Sequence, residues 1–386
     1  MRIVDIRETT VPIGSSIRNA VIDFSEMTVS LLAVITDAEV DGRRVVGYGF
    51  NSNGRYAQGE LLRTRLIPRV LAAGPQTLVD ENGLLSPKRV QAAALRNEKP
   101  GGHGERAVAA GILDMAMWDV VGKLERRPLW QVIAQREGTP DASPVVEVYA
   151  AGGYYGPQGD TDSLRREMTG YLDLGYTKLK MKIGGASLRE DLARIEAVLD
   201  LLPSGGSLAV DANGRFGLRE ALEYGDALAR YPLEWYEEPC DPLDFHTLGA
   251  IADSYPGTLA TGENILSRPD FANLLRYGGL RPAHDVLQVD PALSYGLVEY
   301  LKVIETGDRF GWPRSAYRPH GGHQFNLHAA AGLGLGGIES YPGLFAPFGG
   351  FADDQPVVAS RVEMIDEPGL GLERKAALAP LLEQLA

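Results

Sequence analysis

At 386 residues the chain can hold one large domain or two, and 44% hydrophobic against 23% charged residues is ordinary for a soluble globular protein. A net charge of −13 argues against nucleic acid or an anionic membrane surface as a general partner, while leaving room for an anionic small molecule in a locally cationic cleft. The single cysteine, Cys240, excludes an intrachain disulfide, and neither an apolar leader in MRIVDIRETT nor an 18-residue apolar run is present, so a cytoplasmic protein without a membrane span is expected.

Residues 1 to 50 alternate apolar and polar residues in three runs, IVDIRETTVPI, MTVSLLAVITDAEV and RVVGYGF, separated by Gly, Asn and Asp. That pattern predicts a small antiparallel meander, interrupted by two polar inserts rich in turn residues, GSSIRNAVIDF and NSNGRYAQGE. Residues 60 to 135 read as helical, with Val108, Ile112 and Met115 at helical spacing. The exception is the Gly/Pro loop NEKPGGHGER at 97–106, which offers Lys99 and His103. The stretch from 111 to 142 holds the helix that joins a first domain, 1–125, to a second, 126–355. Residues 356–386, with turn chemistry in EMIDEPGLGLE, are expected to return to the first domain.

From Val146 a strand-and-helix rhythm begins. VEVYAAGGYY, LKMKIGG, LAVDANG, EWYEEP and LATGEN are short apolar runs that end in charged or amide residues and then turn. The steps from Lys182 to Asp211, Glu237 and Glu263 are 29, 26 and 26 residues, about one strand plus one crossover helix. Ser187 and Glu190 make a capping-box pattern ahead of Leu188, Leu192, Ile195, Leu199 and Leu202 on one helical face. DVLQVDPALSYG with Asp290, RSAYRPHGGHQ with His320 and GIESYP with Glu339 complete eight strand positions between 146 and 341. In a barrel of such repeats the C-terminal strand ends carry the chemistry, and that is where the charges fall.

Alternate strand residues share a face, so Lys180 and Lys182 both point to the interior. Asp211, Glu237 and Glu263 end neighbouring strands and would repel strongly without a cation between them. An all-oxygen set with room for water favours Mg2+ over zinc. Lys182 flanks this group on one side, Asp290 and His320 on the other, which suits a base and an acid acting on opposite faces of a metal-held carboxylate. Like-charge repulsion from Lys180 is expected to lower the pKa of Lys182 and leave it partly a free base. Asp290 is expected to orient and charge His320. His323 and His328 have no such partner in the pattern and read as structural.

The pair Lys180/Lys182, VDAN at 210–213, WYEEP at 235–239, GEN at 262–264, Asp290 and His320 resemble the enolase superfamily, mandelate racemase-like group. The resemblance covers nearly the whole chain, including the helix with MAMWD at 115–119. It implies an α/β fold, a modified (β/α)7β TIM-like barrel with an N-terminal α+β capping domain, with one Mg2+ on Asp211, Glu237 and Glu263. IRNAVIDF (17–24), GFNSNGRY (49–56), NEKPGGHGER (97–106), AAGGYY (150–155) and RPHGGHQ (318–324) are similar to the D-tartrate dehydratases of that group. By that similarity Asn19, Asn53, Lys99, Tyr154, Lys180 and Glu339 contact substrate, and Lys99 pairs with the far carboxylate of a hydroxy diacid. The expected activity is dehydration of D-tartrate to oxaloacetate by a homo-oligomer, with Lys182 removing the C2 proton and His320 protonating the departing 3-hydroxyl. A dehydratase of another aldonate or aldarate, a racemase of the same superfamily, and a Schiff-base aldolase using Lys182 are the alternatives.

Overall fold

The computed structural model of the protein describes residues 1–52, 56, 58–155 and 161–386. The meander is there: β1 (Ile3–Pro12), β2 (Thr28–Val40) and β3 (Arg43–Phe50) form one antiparallel sheet in that order. Asp41 and Gly42 join β2 to β3 with φ of 50° and 74°, the left-handed pair that a tight hairpin needs. Strand β2 is buried on both faces. Leu31 and Ala33 join the large core that continues into the barrel, whereas Leu32 and Val34 join a second core with the helices of the first 125 residues.

The helix Glu105–Glu125 lies against β3 and is buried from Ala107 to Gly122 on every side. Glycine makes that approach possible: a Cβ on Gly47 or Gly49 would stand 2.2 Å from the helix carbonyls of Ala116 and Ile112. Two buried aspartates fasten this helix to other segments. Asp114 accepts the Leu297 amide at 2.6 Å, at the start of a barrel helix. Asp119 accepts the amides of Tyr48 and Leu370 at 2.9 and 2.8 Å and pairs with Lys123 at 2.7 Å. Asp119→Ala would leave two amides without their acceptor and Lys123 with Glu373 as its remaining ion-pair partner, so it is expected to lower unfolding free energy by about 3 kcal/mol in a urea titration.

The second sheet is parallel along the order β10–β4–β5–β6–β7–β8–β9, with β4 (Val145–Gly152), β5 (Lys178–Lys182), β6 (Ser207–Asp211), β7 (Leu233–Glu237), β8 (Leu259–Thr261), β9 (Val286–Leu287) and β10 (Ile338–Ser340). The seventh expected strand is reduced to a bridge between Tyr317 and Leu287. Its backbone still joins both neighbours, through Arg318 N to Leu287 O and Glu339 N to Pro319 O. A proline at 319 and glycines at 321 and 322 leave too few residues of regular pleat to extend that pairing. Tyr149, Ala209, Trp235, Ala260 and Val286 fill one interior layer. Asp211 and Glu237 stand two residues beyond Ala209 and Trp235, hence on the same inward face, one layer nearer the C-terminal mouth.

The Ser187 capping box forms, with Glu190 returning to the Ser187 amide at 3.0 Å. The final segment first adds β11 (Arg361–Glu363) antiparallel to β4, then meets the Glu105–Glu125 helix through the Leu370 amide on Asp119 and Glu373 on Lys123, and ends at β1, where Arg7 donates to the carbonyl of Leu385 at 3.2 Å. Among the described residues no helix is long and apolar enough to cross a membrane.

Candidate active site

Strand register brings the charged residues together. Lys182 pairs with Asp211 across β5 and β6, and Asp211 with Glu237 across β6 and β7. Glu263 follows the short β8 after Gly262, whose φ of 132° turns the chain at the barrel rim. Ligand oxygens of Asp211, Glu237 and Glu263 lie within 4.8 Å of one another, a group of the kind that holds a metal ion. Asp211 and Glu237 are fully buried, and the Glu263 side chain is 12% exposed.

The donors around this triad are placed for charge compensation. Lys180 Nζ lies 2.5 Å from Glu237, 2.8 Å from Glu339 and 3.6 Å from Asp211. Lys182 donates to Asp211, and its Nζ sits 5.2 Å from the centre of the Tyr154 ring. Trp235 Nε1 and Gln288 Nε2 each donate to Glu237 Oε2 at 2.8 Å. Glu263 Oε2 is buried and has no hydrogen-bond partner among the described residues, with His320 Nε2 3.5 Å away. Burial and the neighbouring Asp211 push Glu237 up to about 8, so the two carboxylates do not share the pocket as anions without help. An unpartnered buried oxygen together with a carboxylate raised by its neighbour is what a cation-binding oxygen set looks like without its charge balanced. The residues fit a divalent ion.

On the far flank, His320 Nδ1 is 3.1 Å from Asp290 Oδ2. Asp290 also accepts from Ser52 Oγ, Asn326 Nδ2 and the Ala292 amide, which fix it as a carboxylate. Burial alone would lower His320, but Glu263, Glu339 and Asp290 outweigh it and raise the imidazole to about 9. Glu339 is held down to about 2, because Lys180 and His320 overcome its burial. It accepts the Gly321 amide at 3.0 Å and the Tyr341 hydroxyl at 2.8 Å.

One expectation about this cluster is corrected. Burial does lower Lys182, yet the carboxylate of Asp211 more than reverses it, so the ammonium is held above its ordinary range. Lys180 contributes the expected repulsion, but its own charge is spent on Glu237 and Glu339. A neighbouring carboxylate at contact distance beats a neighbouring ammonium that is already paired.

The capping-loop residues lie more variably. The Tyr154 ring covers Lys182 and meets Phe24 of the 17–24 loop edge-on at 6.1 Å. Asn19 is buried, with its Oδ1 accepting the amides of Val21 and Ile22 at 2.8 and 2.6 Å. Its carbonyl therefore shapes its own loop, which is tied to the barrel by Tyr155 N donating to Arg18 O at 2.9 Å. Lys99 is exposed and lines a crevice between the 97–106 loop and the barrel helices, outside the contacts of the carboxylate cluster. Asn53 lies outside the described residues. His328 is structural: its Nδ1 accepts the Trp130 amide at 3.1 Å and Nε2 faces Leu370 O at 3.2 Å. His323 is buried edge-on to Phe50, and burial lowers it to about 4.

The family described as enolase C-terminal domain-like matches residues 163–378, which contain the whole constellation from Lys180 to Glu339. The chain belongs to the enolase superfamily, in its mandelate racemase-like branch. It is 31% identical to the arabinonate dehydratase of Saccharolobus solfataricus over 62% of this chain and 62% of that one. It is 32% identical to the 3,6-anhydro-alpha-L-galactonate cycloisomerase of Streptomyces coelicolor over 60% of each. The chain thus spans under two thirds of the length of these relatives. A racemase from Streptomyces coelicolor A3(2), crystallised with bound magnesium, aligns with a TM-score of 0.78 at 24% identity, covering 100% of this chain and 99% of that one.

In this enolase-superfamily site, sequence reasoning missed Tyr341. Its hydroxyl stands 3.1 Å from His320 Nε2 as well as on Glu339, and it joins the acid flank to Lys180 through that carboxylate. The signal was available: Tyr341 follows Glu339 by two residues in GIESYP and so shares its inward face.

Proposed function

We propose that the protein is a Mg2+-dependent dehydratase of hydroxy acids, and within that class of a 2,3-dihydroxy diacid, D-tartrate, giving oxaloacetate. The observation that carries the reading is the placement of an ammonium against Asp211 at one end of the carboxylate triad and an imidazolium against Glu263 at the other. A reaction that removes a proton from one carbon and a hydroxyl from the next needs that pair. The likeness to an arabinonate dehydratase supports the class. The likeness of five loop segments to the D-tartrate dehydratases supports the diacid.

Asp211, Glu237 and Glu263 would hold the ion. The chemistry it supplies is positive charge, which offsets the carboxylates that keep Lys182 protonated and favours charge developing on a substrate carboxylate. Lys182, once a free amine, takes the C2 proton beneath the Tyr154 ring. His320 carries a proton on Nε2 and delivers it to the 3-hydroxyl, which leaves as water. Asp290 holds the ring through Nδ1 and stabilises its charge. Glu339 and Lys180 form a fixed ion pair on the floor of the site, available to the substrate hydroxyls and near carboxylate. Tyr341 orients Nε2, so Tyr341→Phe is expected to lower kcat about tenfold with little change in KM, read in a steady-state assay.

A coupled assay for 2-keto acid formation across tartrates, aldonates and aldarates tests the class and the substrate together. Formation of oxaloacetate from D-tartrate alone is the expected result. Activity confined to aldonates would remove the diacid reading, and C2 epimerisation without a keto acid would make the enzyme a racemase. Lys182→Arg and borohydride bear on the aldolase alternative: with a keto acid present, borohydride is expected to leave the protein unlabelled, because no imine forms.

If the substrate is a diacid, its far carboxylate needs a cation. Lys99 lines the exposed crevice beside the 97–106 loop and not the carboxylate cluster, so Lys99→Met is expected to keep kcat/KM for tartrate within about twofold of wild type. Equal turnover of tartrate by the variant would assign the far end to another group.

A further inference from the structure

A crevice of about 530 Å3 lies between the 97–106 loop and the starts of the helices Arg268–Tyr277 and Leu297–Arg309. Its walls carry four cationic side chains, Lys99, Arg106, Arg268 and Lys302, and two carboxylates, Glu98 and Glu299. Both carboxylates are already committed. Glu98 receives Arg69, Arg106 and Arg65 at 2.6, 3.0 and 3.3 Å, and these guanidiniums hold it near 2 against its burial. Glu299 pairs with Lys302 at 2.8 Å and accepts the Arg268 amide at 3.2 Å. The side chains of Lys99 and Arg268 make no ion pair or hydrogen bond among the described residues, so two positive charges face this opening in a chain whose net charge is −13.

The back of the crevice is built at a conformational cost. Tyr295 adopts φ of 62°, a left-handed conformation that costs a side chain about 1 kcal/mol or more. Its backbone is fixed there by Gln91 Nε2 donating to its carbonyl at 2.6 Å. The phenol oxygen receives Arg106 Nε at 3.0 Å and stands 3.0 Å from His103 Nδ1. A strained, braced tyrosine between a cationic loop and the cationic start of a helix is a feature of binding sites more than of solvated surface.

We propose that this crevice is a binding site for a small dianion, a phosphate or a dicarboxylate, separate from the carboxylate triad. Arg268 offers a planar fork suited to two oxygens and Lys99 a second point charge. Its volume suits a small metabolite. An occupant would bridge the 97–106 loop to two barrel helices, and so stabilise the seat of the first domain on the barrel.

Isothermal titration of the Mg2+-loaded protein with inorganic phosphate, and separately with succinate, reads the site directly. Saturable binding that weakens as salt is raised is expected, together with a rise in Tm on addition of the anion. Arg268→Gln is expected to weaken that binding about tenfold or more and to abolish the rise in Tm. Arg268→Lys, keeping the charge, is expected to stay nearer wild type than the glutamine variant, and the exposed Arg189→Gln to match wild type. Asp211→Asn, which impairs the triad, is expected to leave it intact, so failure of the dehydratase reading and failure of this one are distinguishable. Binding of phosphate without succinate would give the site a phosphoryl preference, and the reverse a carboxylate preference. No saturable binding of either anion, equal binding by Arg268→Gln, or loss of binding in Asp211→Asn would overturn the proposal.

Discussion

Glu237→Gln is expected to abolish divalent-ion binding at stoichiometric protein and to reduce turnover by three orders of magnitude, roughly 4 kcal/mol of transition-state stabilisation. Glu237 is central in the triad: it stands beside Asp211 across β6 and β7, and it collects Lys180, Trp235 and Gln288. Removing one charge there both weakens an oxygen set and leaves Lys180 with fewer anions in a buried site. The two effects separate by measurement. Calorimetric Mg2+ titration reads the ligand loss, while urea unfolding without metal reads the Lys180 contribution. Exhaustive EDTA treatment of wild type is expected to give the same loss of turnover, restored by Mg2+. Full activity after EDTA and dialysis would remove the metal from the reaction.

Much of the site was legible because it lies on strands. A period of two assigns faces without knowing the fold, and repeat spacing assigns neighbours, so Lys180, Lys182, Asp211 and Glu237 follow from three short runs. The three-stranded meander was legible for the same reason, its Asp41–Gly42 turn included. What escaped depends on three-dimensional charge balance. The pKa of Lys182 is decided by its contact with Asp211, 29 residues away in sequence, and no local pattern ranks that contact above the adjacent Lys180. The loops were the least legible. Asn19 serves its own turn and Lys99 lines a crevice, because polar loop residues satisfy backbone as readily as ligands. The shortened seventh strand is a further case, since an expected apolar run was cut by Pro319 and the glycines that place His320.

Lys182→Ala and His320→Asn are expected to separate the two halves of the proposed reaction. Both should abolish dehydration to the detection limit, because neither the proton nor hydroxide leaves carbon unaided at a useful rate. They differ in what they leave. Lys182 is the group beneath Tyr154 and beside Asp211, and its loss removes the base, so C2 should retain its hydrogen in D2O. Loss of His320 leaves that base in place. The C2 proton can then be removed and returned, and recovered tartrate should gain deuterium at C2 if Lys182 exchanges with solvent between the two steps. Asp290→Asn should behave as a milder His320→Asn: the imidazole keeps its seat through Tyr341 but loses the carboxylate on Nδ1. Proton NMR of tartrate incubated with each variant reads all three outcomes in one experiment. Exchange that persists in Lys182→Ala and vanishes in His320→Asn would reverse the roles, making His320 the base, and would require the imidazole to surrender the proton that Glu263, Glu339 and Asp290 hold on it.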